Sequence, residues 1–293
     1  MRDLRGWFSL LSLLGSPARR KFLRRGLSLH ELDKRANVDR SFAGEAQSIA
    51  KALEMLSLRQ GYAVDIAASN GVDQSCTLSL YVSGWTGLCV EMDPAKFAQL
   101  AAVHESFPNV SLMRSKVTPL NVSATLQAAG APKDFEFLNL DIDSYDFFVL
   151  EAIFEGGFRP RLVSMEINEK IPPPLDFTVL FDEEHFWLGD HFYGCSLVAA
   201  NNLMKRHDYG LFELKLNNAI FVDFSALPRK RDWMNPDEAY KSGYRNHPDR
   251  RKLFPWNTDV DELLSLQAEE AVDFVHRLFL PYQGKYRLRI HES

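Results

Sequence analysis

Tyr62-Ala63-Val64-Asp65-Ile66-Ala67-Ala68-Ser69-Asn70-Gly71, followed after a helix-like stretch by Gly87-Leu88-Cys89-Val90-Glu91-Met92-Asp93, decides the fold of this 293-residue chain. Each segment is a short apolar run that ends on an acid or a small-residue turn. In an open parallel α/β sheet, ligands bind at the carboxyl ends of the strands, where strand order reverses. A small-residue loop there lets the backbone approach a ligand closely, and an acid ending the next strand can accept from two ribose hydroxyls. The pair therefore predicts a nucleoside-type ligand.

Strands and helices alternate outward from this pair. Ser41–Ser57 has apolar residues at helical spacing. Ala63–Ala67, Gly87–Glu91, Val110–Arg114, Phe135–Asp141 and Leu162–Ile167 read as five strands. Asp73–Val82, Pro94–Phe107, Ala124–Ala129 and Phe147–Glu155 read as the helices between them. This alternation indicates a mostly parallel sheet with helices on both faces. Tyr209–Leu216 and Ala219–Phe224, separated by Asn217-Asn218, read as a hairpin. The expected fold is α/β: a doubly wound, mostly parallel seven-stranded sheet ending in an antiparallel hairpin, with helical N- and C-terminal extensions. The expected division is a basic helical extension over 1–57, a ligand-binding domain over 58–226 and a helical appendage over 227–293. That appendage is read as a cap, a substrate wall, a homo-oligomer contact or a surface-wrapping tail.

Apolar residues make up 46% of the chain, enough for a sizeable core, and the net charge of −5 argues against a generic polyanion binder. Residues 1–40 nonetheless carry ten Lys/Arg and four acids, a local charge of +6. Their preferred reading is a terminal helix packed on its own domain, ahead of a basic segment resting on a membrane or protein partner and of a signal peptide. Three scattered cysteines, Cys76, Cys89 and Cys195, have no metal-ligand spacing and read as reduced core thiols, which suggests a cytoplasmic protein. Arg229-Lys230-Arg231 is too short a charge run to indicate nucleic-acid binding, and none is expected.

Phe137-Leu138-Asn139-Leu140-Asp141-Ile142-Asp143-Ser144-Tyr145-Asp146 sets three aspartates at the end of the fourth strand. Alternation puts Asp141 and Asp143 on one side if the strand runs that far. Like charges on the rim of a cleft repel, so a divalent cation or a general-base role is the expected use. Asp146 is read as a cap for the next helix. The fifth strand ends similarly at Met165-Glu166-Ile167-Asn168. Neighbouring strand ends would bring Asp141, Glu166 and Asn168 together as oxygen ligands, a set suited to Mg²⁺ or Ca²⁺ rather than zinc.

Across Gly61–Phe224 these features resemble the class I S-adenosylmethionine-dependent methyltransferases. Val64–Gly71 is similar to the Asp-x-Gly-Ala-x-x-Gly loop of the FkbM type, with Ala67 where that form has its first glycine. The Gly-x-Gly-x-x-Gly of nicotinamide-binding folds is absent. The resemblance implies that Asp65, Ala67, Ser69, Glu91, Ser115 and Asp141 hold S-adenosylmethionine, with Glu91 on the ribose and Ser115-Lys116 beside the adenine. Asp141-Ile142-Asp143-Ser144-Tyr145 resembles the Asp-Gly-Asp-x-Tyr of macrocin-type sugar O-methyltransferases, where the first acid holds a metal and the second acts as base. It is also similar to the acid segment of catechol-type enzymes. The chain departs from both with Glu166-Ile167-Asn168 in place of two adjacent ligands.

The expected activity is transfer of a methyl group to a hydroxyl of a small metabolite, sugar or glycan, with Mg²⁺ as a candidate assistant. Asp143 is the first candidate base and His191 the second. Metal-independent O- or N-methylation stays open, as does a non-catalytic scaffold, which the loss of the loop glycine motivates. The connection that starts at Glu169 and runs through Pro172-Pro173-Pro174 carries Asp182–Trp187 and Asp190–Gly194. It is expected to line the acceptor pocket; His185 is read as a packing residue, His191 as an even choice.

Overall fold

A computed structural model describes residues 39–105, 107–227 and 233–291. Most of the basic N-terminal segment and the Arg229–Arg231 run therefore lie outside the described residues. The strands in chain order are β1 (Tyr62–Ile66), β2 (Thr86–Glu91), β3 (Val110–Arg114), β4 (Phe137–Leu140), β5 (Leu162–Glu166), β6 (Leu175–Val179), β7 (Tyr209–Lys215) and β8 (Asn218–Asp223). Seven of them form one sheet in the order β3-β2-β1-β4-β5-β8-β7. β8 runs antiparallel to both β5 and β7, and the remaining pairings are parallel. This is a Rossmann-like doubly wound sheet closed by a hairpin, as the alternation predicts. Leu216 (φ 55°) and Asn217 make the hairpin turn, one residue earlier than Asn217-Asn218 suggests.

Both faces of the sheet are covered, so the central strands read as apolar runs. Alternation sorts them. Val64, Ile66, Leu88, Val90, Leu138 and Leu140 face one core, against residues of α5 (Asp146–Glu155) and α6 (Leu197–Arg206). Ala63, Cys89 and Phe137 face the other, against α1 (Glu45–Met55), α2 (Leu78–Val82) and α3 (Pro94–His104). Gly87 allows the closest strand approach: a Cβ there would sit 2.1 Å from the Ala63 carbonyl oxygen. A short α4 (Val122–Ala128) follows β3. The helix expected over Asp73–Val82 starts only at Leu78: Gln74 ahead of it adopts left-handed backbone (φ 61°), which interrupts a helix.

Packing and strand pairing cross both expected boundaries, at residues 57 and 226. α1 contributes Ile49, Ala52 and Leu53 to a sheet core, so residues 45–55 belong to the domain. The C-terminal part holds α7 (Pro236–Tyr240), α8 (Arg250–Leu253), a 3₁₀ run (Pro255–Ser265) and α9 (Ala268–Leu278). It then adds a strand, β9 (Tyr286–Ile290), that pairs antiparallel with β6. The appendage thus shares a two-stranded sheet with the insertion after β5. Ile171, Phe177, Val179, Phe192, Val275 and Phe279 make a third core between them. No helix among the described residues is long and apolar enough to cross a membrane.

Candidate active site

The chain leaves β1 through three residues in left-handed backbone: Ala67 (φ 66°), Ser69 (φ 51°) and Gly71 (φ 75°). The amides of Ala67 and Ala68 both donate to the Val90 carbonyl, at 2.9 and 3.0 Å, so the turn folds onto the end of β2. Left-handed backbone at alanine costs about 1 kcal/mol more than at glycine. The structure thereby shows why a glycine suits position 67 and that Ala67 makes the same turn without one. Glu91 is buried at the tip of β2 and accepts from the amides of Ser69 (2.9 Å, on Oε2) and Asp93 (2.7 Å, on Oε1). Each oxygen keeps a further lone pair for a hydroxyl from outside. Asp93 caps α3 by accepting from Ala95 and Lys96, both at 2.8 Å.

Asp65 is buried deeper. Thr77 donates to Oδ2 at 2.6 Å and the Asn139 amide to Oδ1 at 2.9 Å. Parallel register sets Asn139 directly beside Asp65. Burial raises this carboxyl above the usual aspartate range, while the two donors pull it back.

A cavity of about 420 Å³ opens at these strand ends. Its size is that of a small-molecule site. It is lined by Asp65, Ala67, Ser69, Glu91 and Ser115, by Asp141 and Asp143 after β4, and by His185, Phe186 and Trp187 of the insertion after β5. Six predicted donor-site residues are therefore brought to one cavity: these five and Asp141.

Asp141, Asp143 and Glu166 form a cluster in which one oxygen of each lies within 4.8 Å of the others. β4 ends at Leu140, so strand alternation does not align Asp141 with Asp143. The alignment comes from the loop, in which Asp143 adopts φ 53°. Asp146 shapes that loop: its carboxylate accepts from the amides of Ile142 (2.8 Å) and Ser144 (3.1 Å), behind the helix start rather than ahead of it. Glu166 Oε1 accepts from Asn217 at 2.8 Å, whereas Oε2 is buried without a hydrogen-bond partner. Burial, then the charges of Asp143 and Asp146, push Asp141 up to about 8. Burial and the neighbouring Asp141 and Asp143 push Glu166 well above the carboxylate range. Asp143 is also raised by burial, against the pull of its hydrogen bond with Glu166 and then of Lys96 and Lys170.

Two expected site residues lie elsewhere. Asn168 does not line the cavity. β5 stops at Glu166, the backbone turns, and the Asn168 amide nitrogen donates to the carbonyls of His191 and Tyr193, both at 2.9 Å. It pins the following loop, and Asp143 stands in the cluster with Asp141 and Glu166. His191 also misses the cavity: its Nε2 faces Asp259 Oδ2 at 3.1 Å, on the C-terminal part. His185 is the histidine that lines the cavity, with its Nε2 buried and unpartnered; burial holds its imidazole below the ordinary value. Lys116, expected beside Ser115, lines the cavity as well, and so does Asn139, to which sequence reading gave no role. Asn139 was within reach of it, through the pairing of the first and fourth strands.

No family model and no curated protein matches this chain. Among solved structures, it is similar to a putative caffeoyl-CoA O-methyltransferase from Staphylococcus aureus, with 12% identity and a TM-score of 0.44 over 75% of this chain and 100% of that one. It is similar to an S-adenosylmethionine-dependent methyltransferase from Clostridium acetobutylicum, with 11% identity and a TM-score of 0.40 over 68% and 98% of the two chains. A third similarity is to TehB from Haemophilus influenzae, with 10% identity and a TM-score of 0.41 over 66% of this chain and 65% of that one.

Proposed function

We propose that this chain is an S-adenosylmethionine-dependent O-methyltransferase acting on a hydroxyl of a small metabolite, sugar or glycan. The observation that carries the reading is Glu91. It is a buried carboxylate at a parallel strand end, oriented by two backbone amides and open to a cavity beside a left-handed loop. Such a group suits a ribose diol. The bound donor supplies a methyl group already activated on a sulfonium, so the protein has mainly to align it with a nucleophile. Glu91 and Ser69 would hold the ribose side, Asp65 and Ala67 the methionine side, and Ser115 the base. Asp143 in its ionised form would accept the acceptor's hydroxyl proton as the oxygen–carbon bond forms.

The three-carboxyl cluster fits a hard divalent cation. Its donors are all oxygen, and Glu166 Oε2 is a buried acceptor with nothing to accept from. Asp141, Asp143 and Glu166 would hold Mg²⁺, which would neutralise the cluster and lower the pKa of a bound hydroxyl. A metal-independent reading has one observation in its favour. With Asp141 raised to about 8, the cluster can stay together by keeping protons.

Calorimetry with S-adenosylmethionine and S-adenosylhomocysteine, in Mg²⁺ and in EDTA, tests both parts. Micromolar binding of either nucleoside is expected, with a heat that depends on the cation. Absence of binding in both conditions would end the methyltransferase reading and favour a scaffold role.

A further inference from the structure

Residues 182–190, three of which line the cavity, form a strap tied down at both ends by the C-terminal part. Lys285 Nζ donates to Asp182 at 3.3 Å. The Tyr282 hydroxyl donates to Asp190, and the Tyr282 ring stacks on Phe192 at 3.9 Å and 2°. Between these ties the strap is hydrogen-bonded to itself. Glu184 and His185 donate their amides to Asp182 at 3.0 Å, and the Trp187 indole N–H donates to the Asp190 carbonyl at 2.7 Å. It is thus a unit rather than a loose loop. Its middle is nonetheless poorly covered: Phe186 and Trp187 are almost half exposed, and Leu188 is 77% exposed. Gly189 sits at φ +80° with nothing within 4 Å of a Cβ built there, an open pivot beside the anchored end.

A lysine from the loop after β3 reaches this middle part. Lys116, next to Ser115 after β3, donates from Nζ to the Glu183 carbonyl and lies over the Phe186 ring at 3.9 Å from its centroid. It grips the strap at two points, by a charge-assisted hydrogen bond and by a cation–π contact. Closing the strap also has a cost, since His185 Nε2 is buried there without a partner.

We propose that Lys116 is a positioning residue, a latch that holds the 182–190 strap shut across the cavity, so that ligands pass when Lys116 lets go. The inference rests on the reading of this cavity as the donor and acceptor site. It assigns to Lys116 the rate of exchange through the mouth, and to Phe186 and Trp187 the part of an acceptor wall that is in place only while the latch holds.

The test uses the full chain with Lys116→Met, which keeps the stem and removes the charge, and Lys116→Arg, which keeps the charge. Amide hydrogen exchange over residues 183–189 of the ligand-free protein is expected to quicken about fivefold in Lys116→Met, with β1 unchanged and Lys116→Arg close to wild type. Stopped-flow release of S-adenosylhomocysteine is expected to quicken about tenfold in Lys116→Met. Exchange over 183–189 that is the same in Lys116→Met and wild type would overturn the latch. Failure of both proteins to bind S-adenosylhomocysteine would overturn the donor-site reading, while the exchange result would still decide whether Lys116 holds the strap.

Discussion

Two groups of carboxylates sit at the same end of the same sheet, and they are treated in opposite ways. At the tips of β1 and β2, Asp65 and Glu91 have donors on both oxygens, two side chains for one and two backbone amides for the other. At the tips of β4 and β5, Asp141, Asp143 and Glu166 face one another, and with all three ionised Glu166 Oε2 has no hydrogen-bond partner. The first pair is complete in the protein alone and can wait for a neutral partner such as a diol. The second group is incomplete without protons or a cation. Carboxylates of one kind at equivalent places on the fold therefore differ in what they ask of a ligand, and the difference lies in which hydrogen-bond donors the neighbouring strands and loops bring.

The largest effect on binding should come from breaking the complete pair. Glu91→Ala removes two charge-assisted hydrogen bonds and frees the Ser69 and Asp93 amides. It should weaken S-adenosylhomocysteine binding by about 100-fold or more, as read by calorimetry. Retention of wild-type affinity would mean that the donor does not use this wall. Next, Asp143→Asn should lower methyl transfer by roughly 10²–10⁴ while donor binding stays near wild type, which separates the second group's chemistry from the first group's binding. Equal loss of both would merge the two groups into one site.

A smaller effect follows from protons. Asp141 and Glu45 are both pushed up to about 8 by burial, and Asp143 and Glu166 are raised in the same direction. The folded protein then binds protons that the unfolded chain has already lost between the ordinary carboxylate range and about pH 8. Stability must fall as pH rises through that window, by about 1.4 kcal/mol per pH unit for each proton held only in the folded state. The melting temperature of the EDTA-treated protein should drop between pH 5.5 and 8.5. Mg²⁺ should restore more of it at the higher pH, where fewer protons compete. A flat profile would show that the cluster is ionised and already compensated. The smallest effect belongs to the loop: Ala67→Gly relieves left-handed strain of about 1 kcal/mol but loosens the unfolded chain by a similar amount, so the melting temperature should move by about 2 °C or less.

What the sequence revealed about these groups follows the range of the interactions. Asp65, Glu91 and the loop between them are set by strand ends and a turn within thirty residues, and apolar runs with small-residue breaks make such features legible. Asn168 was expected in the cluster because neighbouring strand ends meet there, but the strand stops at Glu166 and the backbone turns, so its side chain goes to the His191 and Tyr193 carbonyls instead. His191 was misplaced because its partner, Asp259, lies 68 residues away in a part of the chain whose position no local pattern states. The β6–β9 pairing spans still more of the chain, and the alternation of Tyr286–Ile290 is too short to announce a strand that must find its neighbour a hundred residues back.

That pairing also has a consequence in time. A chain that emerges from its N-terminus can complete the seven-stranded sheet once Asp223 is free, and the strand-end side of the cavity with it. The strap over the cavity must wait for Tyr282 and Lys285, and its sheet for Ile290. During each round of synthesis there is thus an interval in which the strand-end side of the cavity is formed while the strap beside it is not yet tied down.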